Sequence, residues 1–178
     1  MGTTAEIQAV RIDIEPTRAD LERRIREVYA RPYIEEAELY EYSVGIVIWQ
    51  FLASAFMRDT SREPLDLYGR SDSPLTWAIC GRSEVTSYGM DVNLNAPEDV
   101  RAIHERIEAL PETELIALLQ AEYEALVAKY MAEGIDLERA QGLLGDPEMR
   151  YAKSLCAGIA AFYRRAAAEG RYVACVFG

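Results

Sequence analysis

Both ends of this chain read as strands, and that limits how the rest can fold. Near the start, EIQAVRIDIE alternates, with Val10, Ile12 and Ile14 on one face and Arg11 and Asp13 on the other, the period of a half-buried strand. At the far end RYVACVF is rich in β-branched and aromatic residues, and its most economical partner is the N-terminal strand. Most of what lies between is helix-like, so the helices must fold back over a sheet made from the two ends. The expectation is an α+β fold, a single helix-rich domain over residues 1–178 with a small sheet that includes the N-terminal and C-terminal strands.

Proline marks most of the helix starts. Pro16 and Thr17 open the first, Leu21, Ile25, Val28 and Tyr29 give its apolar stripe, and Pro32 ends it. In SVGIVIWQFLASAFM, residues 43–57, the β-branched run Val44 to Ile48 suits a strand. Its length, with Phe51, Leu52, Ala55 and Phe56, suits a buried helix, and helix is the expectation. Residues 58–74 form a long polar connection. Pro97, Glu98 and Asp99 head a helix whose apolar face is Val100, Ile103, Ile107 and Leu110. Pro111 heads another, with Leu115, Leu118, Leu119, Leu126 and Tyr130 facing inward and Gly134 as its stop. A last helix carries Leu155, Ile159 and Phe162 and stops at Gly170.

Charge narrows the function classes. A formal net charge of -11 disfavours nucleic acid, whose binding depends on Lys and Arg at the phosphates. In RADLERRIRE, the most basic stretch, Asp20, Glu22 and Glu27 interleave with the arginines, a pattern of helix-face ion pairs. The N-terminus lacks the apolar run of a secretion signal, and the richest apolar run is too short to cross a bilayer. Cys80, Cys156 and Cys175 form no CxxC and are odd in number, which suits reduced, buried thiols in a cytoplasmic protein.

The usual catalytic signatures are missing. There is no phosphate-cradling GxxxxGK[ST], no GxGxxG after a strand and no GxSxG elbow. The single histidine, His104, lies in HERIE, where a helical zinc site HExxH has its second imidazole and this chain has Glu108. His104 is therefore expected to be structural. No metal ligand set, cofactor motif or catalytic residue is assigned, and the many carboxylates include no pair that sequence can single out.

Two places remain as candidate sites. The first interleaves Glu35, Glu36, Glu38 and Glu41 with Tyr33, Tyr40 and Tyr42, combining steering charge with large amphipathic contacts, as a protein-binding surface does. Its ordinary alternative is a solvated segment whose tyrosines lie back on the core. The second is SPLTWAICGRSEVTSYG, residues 73–89, where Trp77 and Tyr88 would wall a small-ligand pocket. Its ordinary alternative is a core plug, headed by Pro74 and released by Gly81.

The order of PLTWAICGR, the proline-headed APEDVRAIHERIEAL, PETEL and the ending IAAFYRRAAAEGRYVACVFG resembles the YfbM-like family of small bacterial proteins, a domain of unknown function, DUF1877. In that family a Pro-Leu-Ser-Trp-Ala-Ile-Leu-Gly-like knot precedes a Pro-Glu-Glu-Val-like helix, and a Tyr-Arg pair, matched here by Tyr163 and Arg164, precedes a short final strand. The resemblance covers residues 73–178 and thins before them, where Trp49 matches the Trp that begins the family's equivalent helix. It implies an α+β single domain and brings no established activity or catalytic residue.

The functional expectation is a non-enzymatic cytosolic module, immunity-like, that binds a basic protein. The alternative is a small-ligand binder or carboxylate-based hydrolase with its pocket near Trp77 and Tyr88. A homodimer through the apolar helix at 43–57 is a third possibility.

Overall fold

The computed structural model describes residues 4–10, 23, 39–57, 73–87, 91–136 and 146–177. The elements are β1 (Thr4–Val10), β2 (Leu39–Gly45), α1 (Ile46–Met57), α2 (Pro74–Cys80), β3 (Ser83–Ser87), β4 (Asp91–Asn95), α3 (Pro97–Glu108), α4 (Glu112–Ala132), α5 (Asp146–Ala168) and β5 (Tyr172–Phe177). The fold is α+β. The strands form one five-stranded sheet in the order β2-β1-β5-β4-β3, antiparallel throughout.

The C-terminal strand does pair with the N-terminal one, Ile7 opposite Cys175 and Ala9 opposite Val173. Among the described residues of β1, Ile7 and Ala9 are buried in the core. The strand begins earlier than the alternation suggested, at Thr4, and residues 11–14 lie outside the described set, as does the expected helix after Pro16 apart from residue 23.

The run at 43–57 divides where its two readings conflicted. Val44 and Gly45 close β2, pairing with Ala5 and Thr4 of β1, and α1 starts at Ile46. The single-helix expectation is thus corrected at its first three residues. Tertiary pairing overrode the helical reading there, as it commonly does for β-branched residues. On α1, Phe51, Leu52, Ala53, Ala55 and Phe56 are buried in the core.

That core lies between the helices and one face of the sheet. Ile7, Ala9, Val173 and Cys175 meet Leu75, Ala78, Ile79, Val100, Ile103, Leu119, Ile159, Phe162 and Tyr163 in one cluster, each large apolar side chain adding about 1.5–3 kcal/mol on burial. On α5 the buried positions Cys156, Ile159, Phe162, Tyr163 and Ala166 follow helical spacing. The other sheet face is also buried near its centre, at the paired residues Leu94 and Ala174. Among the described residues no helix is long and apolar enough to cross a membrane.

Candidate functional site

The knot at 73–81 forms α2, a seven-residue helix. Ser73 caps it by accepting from the Leu75 amide at 3.3 Å, and Pro74 takes the first helical position, where its missing N–H and fixed φ cost nothing. Gly81 ends it at φ +73°. Glycine is required there twice over: the left-handed φ disfavours other residues, and a Cβ would lie 2.5 Å from the Cβ of Asn93.

A helix this short leaves most of its carbonyls without intrahelical partners, and here the tertiary fold supplies donors. The Gly81 amide and Asn95 Nδ2 both donate to the Trp77 carbonyl at 2.9 Å. The Tyr163 hydroxyl donates to the Ala78 carbonyl at 2.9 Å, and Asn93 Nδ2 to the Cys80 carbonyl at 2.7 Å. Asn95 Nδ2 also faces the Tyr163 oxygen at 3.4 Å and Cys175 Sγ at 4.0 Å. Three elements, β4, β5 and α5, thus converge on the end of α2.

These groups are placed for packing and anchoring. Burial pushes the Cys80 thiol up to about 12 and that of Cys156 up to about 12, and it raises Cys175 and Tyr163 as well. Thiols held protonated in this way are poor nucleophiles. Asn95 Oδ1, Thr76 Oγ1 and His104 Nδ1 are buried without a hydrogen-bond partner.

Trp77 lies on the half-buried side of α2, with the Arg82 guanidinium 4.4 Å from the ring centroid, close enough for a cation–π contact. Arg82 also pairs with the buried carboxylate of Asp99, whose second oxygen accepts from the Ala96 amide at 3.1 Å and so caps α3. Trp77 is therefore roofed by an ion pair. Tyr88, its expected companion, lies outside the described residues.

Of the tyrosine and glutamate candidates, Tyr33, Glu35, Glu36 and Glu38 also lie outside the described residues, while Tyr40, Glu41 and Tyr42 fall on β2, one of the two outer strands among the described residues. Tyr40 pairs with Ala9 and Tyr42 with Ile7, the two buried residues of β1, whereas Glu41 pairs with Gln8.

A cavity of about 320 Å³ opens elsewhere, between α1, α2, the α3–α4 corner and α5. Phe56, Leu75, Leu110, Leu115 and Ile159 are among its walls, Cys156 is part of the lining, and Glu112 is the one charged residue there. Trp77 does not line it. Among the described residues no three His, Cys, Asp or Glu side chains converge to hold a metal ion.

Sequence reasoning missed Asn93, Asn95 and Arg82, and read Asp99 only as an acid in the first turn of its helix. The first two carried a usable signal: in DVNLN, two asparagines occupy alternate positions of a strand, hence one face, and they pair with Cys175 and Val173 on the buried side. Asparagine at such positions implies buried main-chain groups in need of donors.

The family model for DUF1877, described as a domain of unknown function, matches residues 3–176, and the chain belongs to that family. Among solved structures, a protein of unknown function, YfbM from Escherichia coli, is similar in fold, with a TM-score of 0.63 over 98% of this chain and 99% of that one at 15% sequence identity. No curated protein matches.

Proposed function

We propose that this DUF1877 protein is a non-enzymatic binding module whose partner is a basic protein. The observation that carries the reading is the position of Tyr40, Glu41 and Tyr42 on β2, one of the two outer strands of the sheet among the described residues. An outermost strand offers main-chain donors and acceptors along one edge, where an extended segment of a partner can add as a further strand. Charge then favours a cationic partner: Glu35, Glu36 and Glu38 precede β2 in a chain of net charge -11.

Two surface carboxylates, Glu108 and Glu169, are held in ion pairs. Glu108 is held below the usual range by the Arg164 guanidinium, and Glu169 by Arg165 and then Arg171. A second reading, small-ligand binding, is supported by the cavity beside α5.

Affinity capture from host lysate at low and high salt, with hydrogen exchange on the captured complex, tests the first reading. A basic protein released by salt that protects β2 amides supports it. Charge reversal at Glu35, Glu36, Glu38 and Glu41 should then abolish capture with the fold intact; unchanged capture would remove this surface from the account.

A further inference from the structure

We propose that the cavity between α1, α2, the α3–α4 corner and α5 binds a small organic amine, its apolar body inside and its ammonium group at Glu112. The proposal rests on the second reading above and is independent of β2. The size is suitable. A volume of about 320 Å³ lies at the lower end of ligand pockets and roughly corresponds to a dozen non-hydrogen atoms, on the scale by which a 150 Å³ apolar cavity takes benzene.

The lining decides the chemistry. Phe56, Leu75, Ile107, Leu110, Leu115 and Ile159 offer apolar contact and no hydrogen-bonding side chain, so a polar group on the ligand must stay at the mouth. Cys156 adds no charge, because burial holds its thiol protonated, up to about 12. Glu112 is the one ionisable wall residue besides that thiol.

Glu112 is also available. It shares the first turn of α4 with Glu114, and both offset the positive helix end. Glu114 is engaged by Arg106 at 2.5 Å, whereas Glu112 has no ion pair among the described residues. An ammonium group would complete the same kind of pair at the cavity mouth, and the chain's net charge of -11 favours cations over anions in its surroundings.

The test holds the apolar body constant and changes the head group. Phenethylamine, phenethyl alcohol and phenylacetate are titrated by calorimetry, with thermal shift in parallel; a ligand at tenfold its dissociation constant should raise Tm by about 3 °C. The expected order is amine, then alcohol, then carboxylate, with the amine favoured about tenfold over the alcohol and that advantage lost in Glu112→Gln. Equal binding of all three would overturn the amine assignment and leave the small-ligand reading standing. No binding by any of them would overturn both.

Filling the cavity controls for location. Ala157→Phe, at an exposed wall position, and Ala160→Leu, at a half-buried one, should each abolish binding with the melting temperature kept. Amine binding that survives in both folded variants would overturn the site.

Discussion

The helices α2 and α4 differ in length and in how they are held. In α2 five of seven residues are buried, and β4 and α5 supply donors to three of its carbonyls. In α4 three of 21 residues are buried, namely Leu119, Glu122 and Val127. The longer helix closes most of its hydrogen bonds internally, and its neighbours contribute by packing against one apolar stripe, which includes Leu115, Leu118, Tyr123, Leu126 and Tyr130. The short one has almost no helical stability alone and exists because other elements complete it.

Alkaline pH should separate the two regions most strongly. The folded-state pKa values of Cys80, Cys156 and Cys175 are raised above the ordinary 9.0. Their contribution is therefore complete below about pH 9 and is lost as pH rises toward 12, because the unfolded chain releases thiol protons that the native chain keeps. Each thiol should remove about 1.4 kcal/mol per pH unit in that window. Urea unfolding at pH 8, 9 and 10 measures the slope, and Cys80→Ala should reduce it by about one thiol's share. A slope unchanged in that variant would mean that the end of α2 is wetter than its packing implies.

Gly81→Ala attacks the exit of α2 directly. The new Cβ must occupy a left-handed φ of +73° and meet Asn93 at 2.5 Å, so a loss of about 3 kcal/mol and a fall in Tm of about 10 °C are expected. The same substitution at Gly134, past the end of α4, also meets a positive φ, but nothing lies within 4 Å of its Cβ. Its cost should be confined to backbone strain, about 1 kcal/mol. Equal losses at the two glycines would remove the steric part of the account.

Tyr163→Phe comes next. It leaves the Ala78 carbonyl without its donor at 2.9 Å, at a cost of about 1–3 kcal/mol for an unmatched buried acceptor. Thermal denaturation of the single and double variants with Asn95→Ala should show coupling, because Asn95 Nδ2 faces the Tyr163 oxygen at 3.4 Å. Strict additivity would mean that the two side chains anchor α2 independently.

The same contrast explains what sequence disclosed. Ser73, Pro74 and Gly81 announce a capped turn locally, so the plug reading of the knot could be made from residues alone. The pairing of the two ends was also legible, because alternating strands at both termini leave few other arrangements. The donors that fix α2 were not legible: Asn95 and Tyr163 lie 18 and 85 positions from the carbonyls they reach, and a hydrogen bond across such separations leaves no periodic trace. The same holds for the cavity. Its wall residues read as ordinary core positions on separate helices, and only their convergence leaves space between them.

The smallest effect expected is on the outer face of α4. Ala125 is exposed and Met131 is 49% exposed, so Ala125→Glu and Met131→Gln should each alter stability by no more than about 0.5 kcal/mol, the usual range for surface substitutions that touch no special feature. The measurement is the denaturation midpoint at two protein concentrations tenfold or more apart. Small, concentration-independent changes would confirm that α4 is held from one side. A loss of about 1 kcal/mol or more that grows with protein concentration would mean that this face is covered in solution by a second copy, because association contributes to apparent stability by mass action. The contrast with α2 would then narrow, since the long helix would also be completed by contacts from outside itself.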